Sequence, residues 1–224
     1  MEVLKWKNQA IELLKKAIDC LEHANIPFGE WSFGGGTALM FQYWHRESKD
    51  VDIFLFDIQY LTALSPRLND YAEEICVDYK ETSNFIKLIL EEREIDFIVA
   101  PNLSGHLPVE TEIEGIKVLH EQPEEILAKK FYYRTARLKL RDLYDAFVVL
   151  NSEKAESVAK VLKELLRGKE KVFLDRVNFL YQELKKKGIE GFAKELNIPQ
   201  EIAENLPEDF PLIVVSKIGR NTQN

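Results

Sequence analysis

The chain opens with MEVLKWKNQAIELLKKAIDCLEHA, in which apolar residues recur at three- and four-residue steps with lysines between them. That period predicts an amphipathic helix. IPFGEWSFGGG follows, and its short β-type run predicts a strand over 31–33 that ends at the glycines. TALMFQYWH has the residue types of a short helix, with Thr37 near its start, and RESKD is a polar turn. VDIFLFD, rich in β-branched and aromatic residues, predicts a strong strand. IQYLTALSPRLNDYAEEI reads as helical, broken or restarted at Pro66. CVDYKET, NFIKLILEE and EIDFIVAP predict further strands, the last two close enough for a hairpin, and VETEIEGIKVLH adds one or two more around Gly115.

The texture changes at EQPEEILAKKF. From Pro123 onward the period is helical through PEEILAKKFYYRTARL, LRDLYDAFVVLNS, AESVAKVLKELLRG and EKVFLDRVNFLYQELKKKG, with shorter helices in GFAKELNI and PQEIAENL. The tail SKIGRNTQN is polar and is expected to fray. No internal repeat or low-complexity segment interrupts this layout. The expected organisation is an α/β (α+β) region over 1–120 and an all-helical region over 121–224, with a soft boundary between them.

Composition narrows the function classes. A 46% hydrophobic and 30% charged chain is ordinary for a globular protein with a core. Cys20 and Cys76 lie far apart, form no CxxC pair, and read as thiols of a reducing compartment. The first helix lacks the unbroken apolar stretch of a signal peptide. No apolar run reaches the ~20 residues that cross a bilayer. The expectation is a cytoplasmic protein with no membrane partner. A net charge of −8 argues against a chain that coats nucleic acid through many phosphate contacts. Local basic stretches remain, from Lys129 to Arg141 and from Lys163 to Lys171.

The chemistry concentrates in FGGGTALMFQYWHRESKDVDIFLFD. Gly35, Gly36 and Thr37 stand where a strand meets a helix. Glycines there permit positive φ and close backbone approach, and free N–H groups at a helix start attract anions. The same residues also suit a tight turn, and no GKS or GKT follows to make a Walker loop. Asp50 and Asp52 are two apart on a strand, so both carboxylates share a face. Two such charges repel unless a cation intervenes. Either they hold Mg²⁺, or one caps the turn and the other is solvated. Asp96 sits in REIDFIV between Ile95 and Phe97. It either completes a three-carboxylate site for two Mg²⁺ ions or shares a solvated face with Glu94.

The segment GGTALMFQYWHRESKDVDIF resembles the AbiEii/AbiGii toxin family, part of the polymerase-β-type nucleotidyltransferase superfamily. Its pattern of Gly-Gly-Thr, a short helix and then Arg-x-Ser-x-Asp-x-Asp is matched by Arg46, Ser48, Asp50 and Asp52. This chain has three glycines where two are usual. PEEILAKKFYYRTARLKLRDLYD resembles a second family block through Lys130, Arg137, Arg141, Asp142 and Asp145. NFIKLIL offers Lys87 where the family carries a lysine block.

The resemblance implies a mixed sheet with a metal site at one edge and a helical C-terminal region. It implies transfer of a nucleoside monophosphate from an NTP to an acceptor hydroxyl, with Mg²⁺. The acceptor it implies is tRNA or another RNA in some relatives and a protein in others. A cognate antitoxin is the implied partner. Asp50 and Asp52 would be catalytic and metal-binding, with Asp142 or Asp145 as a further catalytic or structural carboxylate, and Asp96 joins the catalytic and metal-binding set by its position in a strand alone. Gly35, Gly36, Thr37, Arg46, Ser48, Lys130 and Arg137 would bind NTP.

The residues also allow plainer readings. Lys130 and Arg134, and then Arg137 and Arg141, follow helical steps and can form a solvated basic face. Of Lys129 and Lys130, adjacent on one helix, at least one is expected in solvent. Asp145 can serve as a structural ion-pair partner. His45, in a turn, is expected at the surface, and Tyr132 and Tyr133 in the core, with base stacking as the alternative. Two other functions share the glycine and aspartate core. One is a small-molecule, antibiotic-type nucleotidyltransferase, to which an acidic protein offers a surface for a cationic acceptor. The other is a non-catalytic nucleotide- or partner-binding domain.

Overall fold

The computed structural model describes residues 2–220, with side chains over 5–219. The chain forms two compact units. One holds the chain up to Gln42 together with Ser48–Asn102 and Leu107–Gln122. The other holds Tyr43–Glu47, Leu103–His106 and the described chain from Pro123 onward.

The first unit is built on a mixed sheet of seven strands. In chain order they are β1 Trp31–Gly34, β2 Val51–Leu55, β3 Asp78–Glu81, β4 Phe85–Ile89, β5 Glu94–Val99, β6 Val109–Ile113 and β7 Ile116–His120. Across the sheet the order is β3-β4-β5-β2-β1-β7-β6. β2 runs parallel to β5 and β1 parallel to β7, while the remaining pairs are antiparallel. Strand alternation sorts the side chains. Val51, Ile53 and Leu55 of β2, Ile86 and Leu88 of β4, and Ile95 and Phe97 of β5 are all buried. Helix α1, Glu2–His23, packs against this sheet with Leu13, Leu14, Ala17 and Leu21 buried. The residues between them in sequence, Asp52, Lys87 and Asp96, share the opposite face.

Two short helices complete the unit. Helix α2, Gly35–Tyr43, follows β1 directly. It stops one residue before Trp44, whose φ of 50° is left-handed, so the helix is shorter than TALMFQYWH suggested. The stretch read as helical before Pro66 is a 3₁₀ segment, Ile58–Leu64, and the α-helix proper, α3 Asp70–Ile75, begins only after Asn69 caps it.

The second unit is helical: α4 Pro123–Arg134, α5 Leu140–Val149, α6 Ala155–Leu165, α7 Glu170–Glu195, α8 Gln200–Ala203 and α9 Phe210–Arg220. α7 joins two expected helices across a kink at Gly188, where φ is 75°. Tyr144, Phe192 and Phe210 pack ring against ring at its centre. The tail reading needs correction. Ser216–Arg220 lies in α9, where Phe210, Val214 and Ile218 turn a buried stripe inward, and only the last residues of SKIGRNTQN lie outside the described chain.

Two short segments from elsewhere in the sequence are tied into this unit, each by one buried carboxylate. Glu125 accepts from the backbone N–H groups of Leu103 and Ser104. Asp145 holds the segment Tyr43–Glu47 through Arg46 and His45.

Candidate active site

In the first unit one row of the sheet carries the chemistry. Gly34 of β1 is the register partner of Asp52 on β2, Asp52 of Asp96 on β5, and Asp96 of Lys87 on β4. Parallel pairing of β2 and β5 therefore sets the Asp52 and Asp96 side chains beside each other on one face. Asp50 stands one residue before β2 and its backbone carbonyl accepts from the Thr37 hydroxyl. That bond ties the first turn of α2 to the approach to β2.

Gly35 explains the glycine run. Its φ is +71°, and a Cβ added there would fall inside the Asp52 carboxylate. The turn from β1 into α2 thus has a left-handed backbone and passes directly against Asp52, two demands only glycine meets together. Gly36 and Thr37 then form the first turn of α2.

Burial, and then the neighbouring charge of Asp52, push the Asp96 carboxyl up to about 6, against the pull of Lys87. The Lys87 ammonium lies 3.0 Å from Asp96 Oδ2 and also pairs with Glu94. Among the described residues no group of three or more His, Cys, Asp or Glu side chains is arranged to hold a metal. Asp52 and Asp96 stand as a pair, with Lys87 beside them.

The second unit gathers another set. Arg46 reaches Asp145 with both arms, Nε at 2.6 Å from Oδ1 and Nη2 at 2.9 Å from Oδ2. His45 Nε2 lies 2.8 Å from Oδ1, and the Lys130 ammonium pairs with Oδ2. Asp142 accepts from the Lys139 backbone N–H at 2.9 Å, capping α5, and faces Arg134 at 3.3 Å and Lys130 at 3.8 Å. Both aspartates are fully buried. Burial alone would raise the Asp145 carboxyl, but the Arg46 and Lys130 charges outweigh it and hold the group well below the usual carboxylate range. Burial pushes the His45 imidazole down, so the ring is neutral. An ionised carboxylate only accepts, so His45 Nε2–H donates to it, and the buried Nδ1 has no hydrogen-bond partner among the described residues.

Three sequence expectations are corrected here. His45 is 1% exposed, not at the surface. Lys129 and Lys130 are both buried, because Glu125 pairs with the first and Asp145 with the second. Tyr132 and Tyr133 are 44% and 48% exposed, not core. They stand edge to face at the end of α4, and the Lys169 ammonium lies 4.3 Å from the Tyr132 ring centre.

Of the expected site residues, Gly35, Gly36, Thr37, Asp50, Asp52 and Asp96 come together in the first unit. Arg46, Lys130 and Asp142 come together in the second, in one buried ion-pair network. Arg137 is exposed on the 3₁₀ turn that follows α4, and Ser48 is half-buried before Asp50. The sequence assigns no chemistry to His45, only a place on a basic face to Arg134, and a marginal role to Lys87. The signals for Lys87 are its match to the family's lysine block and its alternation with Ile86 and Leu88, which are buried.

A mixed sheet with a paired aspartate beside a glycine turn at a helix start, followed by a helical region, defines the nucleotidyltransferase class. Two structures of ANT(2″)-Ia share the fold. The solution structure gives a TM-score of 0.53 at 17% identity, over 75% of this chain and 97% of that one. The structure in complex with adenylyl-2″-tobramycin gives 0.52 at 18% identity, over 71% and 98%. A nucleotidyltransferase from H. pylori aligns over 94% of this chain and 93% of its own, at 16% identity and a TM-score of 0.48. A comparison with curated proteins returned no match. The sequence model described as nucleotidyl transferase AbiEii toxin, type IV TA system, matches residues 19–211. The chain belongs to this family and is a nucleotidyltransferase, and the mixed-sheet fold expected from the sequence is the one observed. Among the described residues no helix is long and apolar enough to cross a membrane.

Proposed function

We propose that the protein moves a nucleoside monophosphate from an NTP to a hydroxyl of an RNA acceptor, with Mg²⁺ held at Asp52 and Asp96 and assisted by Asp50. The observation that carries this reading is the register pair Asp52 and Asp96, set against the left-handed turn at Gly35. The pair fits a cation because two carboxylates in register repel, and burial and that repulsion have already pushed Asp96 up to about 6. When bound, the ion neutralises phosphate charge and stabilises the leaving pyrophosphate.

The remaining chemistry belongs to the chain. The backbone of Gly35, Gly36 and Thr37 offers N–H donors to the triphosphate. The acceptor oxygen forms a bond to the α-phosphorus as the bond to the β-phosphate oxygen breaks, and pyrophosphate departs with that electron pair. The hydroxyl proton passes to Asp96, which lies beside Asp52 in the same register row. RNA is the favoured acceptor because Tyr132 and Tyr133 stand exposed with Lys169 over one ring. Exposed aromatics beside cations are platforms for unpaired bases. Membership of a type IV toxin–antitoxin family supports a cognate antitoxin as protein partner.

Transfer from each radiolabelled NTP into total cellular RNA and protein, with Mg²⁺, tests this reading against Asp52→Asn. Label in an RNA species that disappears in the variant is the expected result. Label in protein alone, or none in either, overturns the RNA acceptor. Failure to bind any NTP overturns the enzyme reading.

A further inference from the structure

The carboxylate pair already has a cation beside it. Antiparallel pairing of β4 and β5 sets Lys87 opposite Asp96, and strand alternation puts Glu94 on the same face two residues away. The Lys87 ammonium contacts both carboxylates, at 3.0 Å from Asp96 Oδ2 and in a close pair with Glu94. The two partners differ in setting. The Asp96 side chain is the more enclosed, and Glu94 lies nearer solvent.

We propose that Lys87 is a resident counter-cation of the active site. In the metal-free protein it neutralises Asp96, and it withdraws to Glu94 when a divalent ion enters with the nucleotide. The inference rests on the metal reading given above. Mg²⁺ binds carboxylate oxygen at about 2.0–2.1 Å, so an ammonium and the dication cannot share Oδ2 without strong repulsion. The lysine need not leave the site. Its flexible four-carbon stem and three rotatable donors let it keep Glu94 while releasing Asp96. The phosphates of an NTP add the negative charge that tips this exchange. Metal and nucleotide therefore bind cooperatively, and metal alone binds weakly.

Mn²⁺ binding, followed by the electron paramagnetic resonance signal of the free ion, tests the exchange without reference to turnover. Wild type, Lys87→Gln, Glu94→Gln and the double variant are titrated with and without a non-hydrolysable NTP analogue. Lys87→Gln should bind nucleotide-free Mn²⁺ on the order of tenfold more tightly, and the analogue should then add less affinity than in wild type. Glu94→Gln should weaken Mn²⁺ binding in the wild-type background and have little effect once Lys87 is gone. Equal Mn²⁺ affinity in wild type and Lys87→Gln, or additive effects in the double variant, overturns the exchange and leaves the metal reading standing. Absence of Mn²⁺ binding in every variant, with and without analogue, overturns the metal reading and the exchange with it. Circular dichroism confirms that each variant is folded, and Lys87→Met replaces Lys87→Gln if it is not.

Discussion

Arg46 grips both oxygens of Asp145, 99 residues further along the chain, where both side chains are buried. Planar bidentate geometry and full enclosure distinguish this pair from the exposed ion pairs of the same helical unit, such as Lys171 with Asp175. Removing one partner leaves the other charge buried and under-compensated. Arg46→Ala and Asp145→Asn should each lower unfolding free energy by about 3–5 kcal/mol. Arg46→Lys should fall between them and wild type, because an ammonium cannot reproduce the fork. Urea unfolding followed by tryptophan fluorescence checks the order.

Acid should undo the same network. The folded-state affinity of Asp145 for a proton is depressed, so its contribution is present above the ordinary carboxylate range and is lost as pH falls through and below about 4. His45 is also depressed by burial, and its contribution is lost as pH falls below the ordinary histidine value of about 6.5. Thermal midpoints should therefore decline in two stages, one as pH falls below about 6.5 and one as it falls through and below about 4. In Asp145→Asn the lower stage should be absent, and its persistence would assign it to other carboxylates.

Gly35→Ala asks for a left-handed alanine whose Cβ lands on the Asp52 carboxylate. Displacing a reacting group by about 1 Å costs roughly 100-fold in rate, and that is the loss expected in kcat. Gly29→Ala, where nothing lies within 4 Å of the added carbon, is the control and should keep full activity.

As the proposed base, Asp96 should give the reaction its pH dependence. Its proton must be off for it to act, and the free enzyme's carboxyl is pushed up to about 6. kcat/KM should climb tenfold per pH unit below about 6 and level off above it.

Tyr132→Ala removes an exposed ring without opening the core. Base stacking on an aromatic is worth about 1–3 kcal/mol, so RNA affinity should drop by roughly 5- to 150-fold while NTP binding is unchanged. Equal RNA binding by variant and wild type would place the acceptor elsewhere.

The sheet was legible in the sequence because its strands are short, β-branched and alternating. VDIFL and EIDFIV each set one aspartate among residues that must face a core, which fixes both register and face. The second block was legible as residues and not as environment. Lys130 and Asp142 are buried in one ion-pair network with Asp145, and that network is completed by Arg46 and His45 from far earlier in the chain. Local pattern cannot show that His45 and Arg46 leave a polar turn for a carboxylate 99 or 100 residues away. The last helix did carry its signal. Phe210, Val214 and Ile218 keep a four-residue step, but the polar residues after them drew the reading toward a tail.

The Arg46–Asp145 clasp also fixes when the protein becomes whole. The segment that leads into Asp50 is made early by the ribosome, and its carboxylate partner is made 99 residues later. At about 5–20 residues per second, that interval is on the order of ten seconds. Over roughly its second half the growing chain carries the glycine turn and both strand aspartates while Asp145 has yet to be made. A message cut short before Asp145 yields a fragment with the catalytic motif intact and its leading segment unfastened.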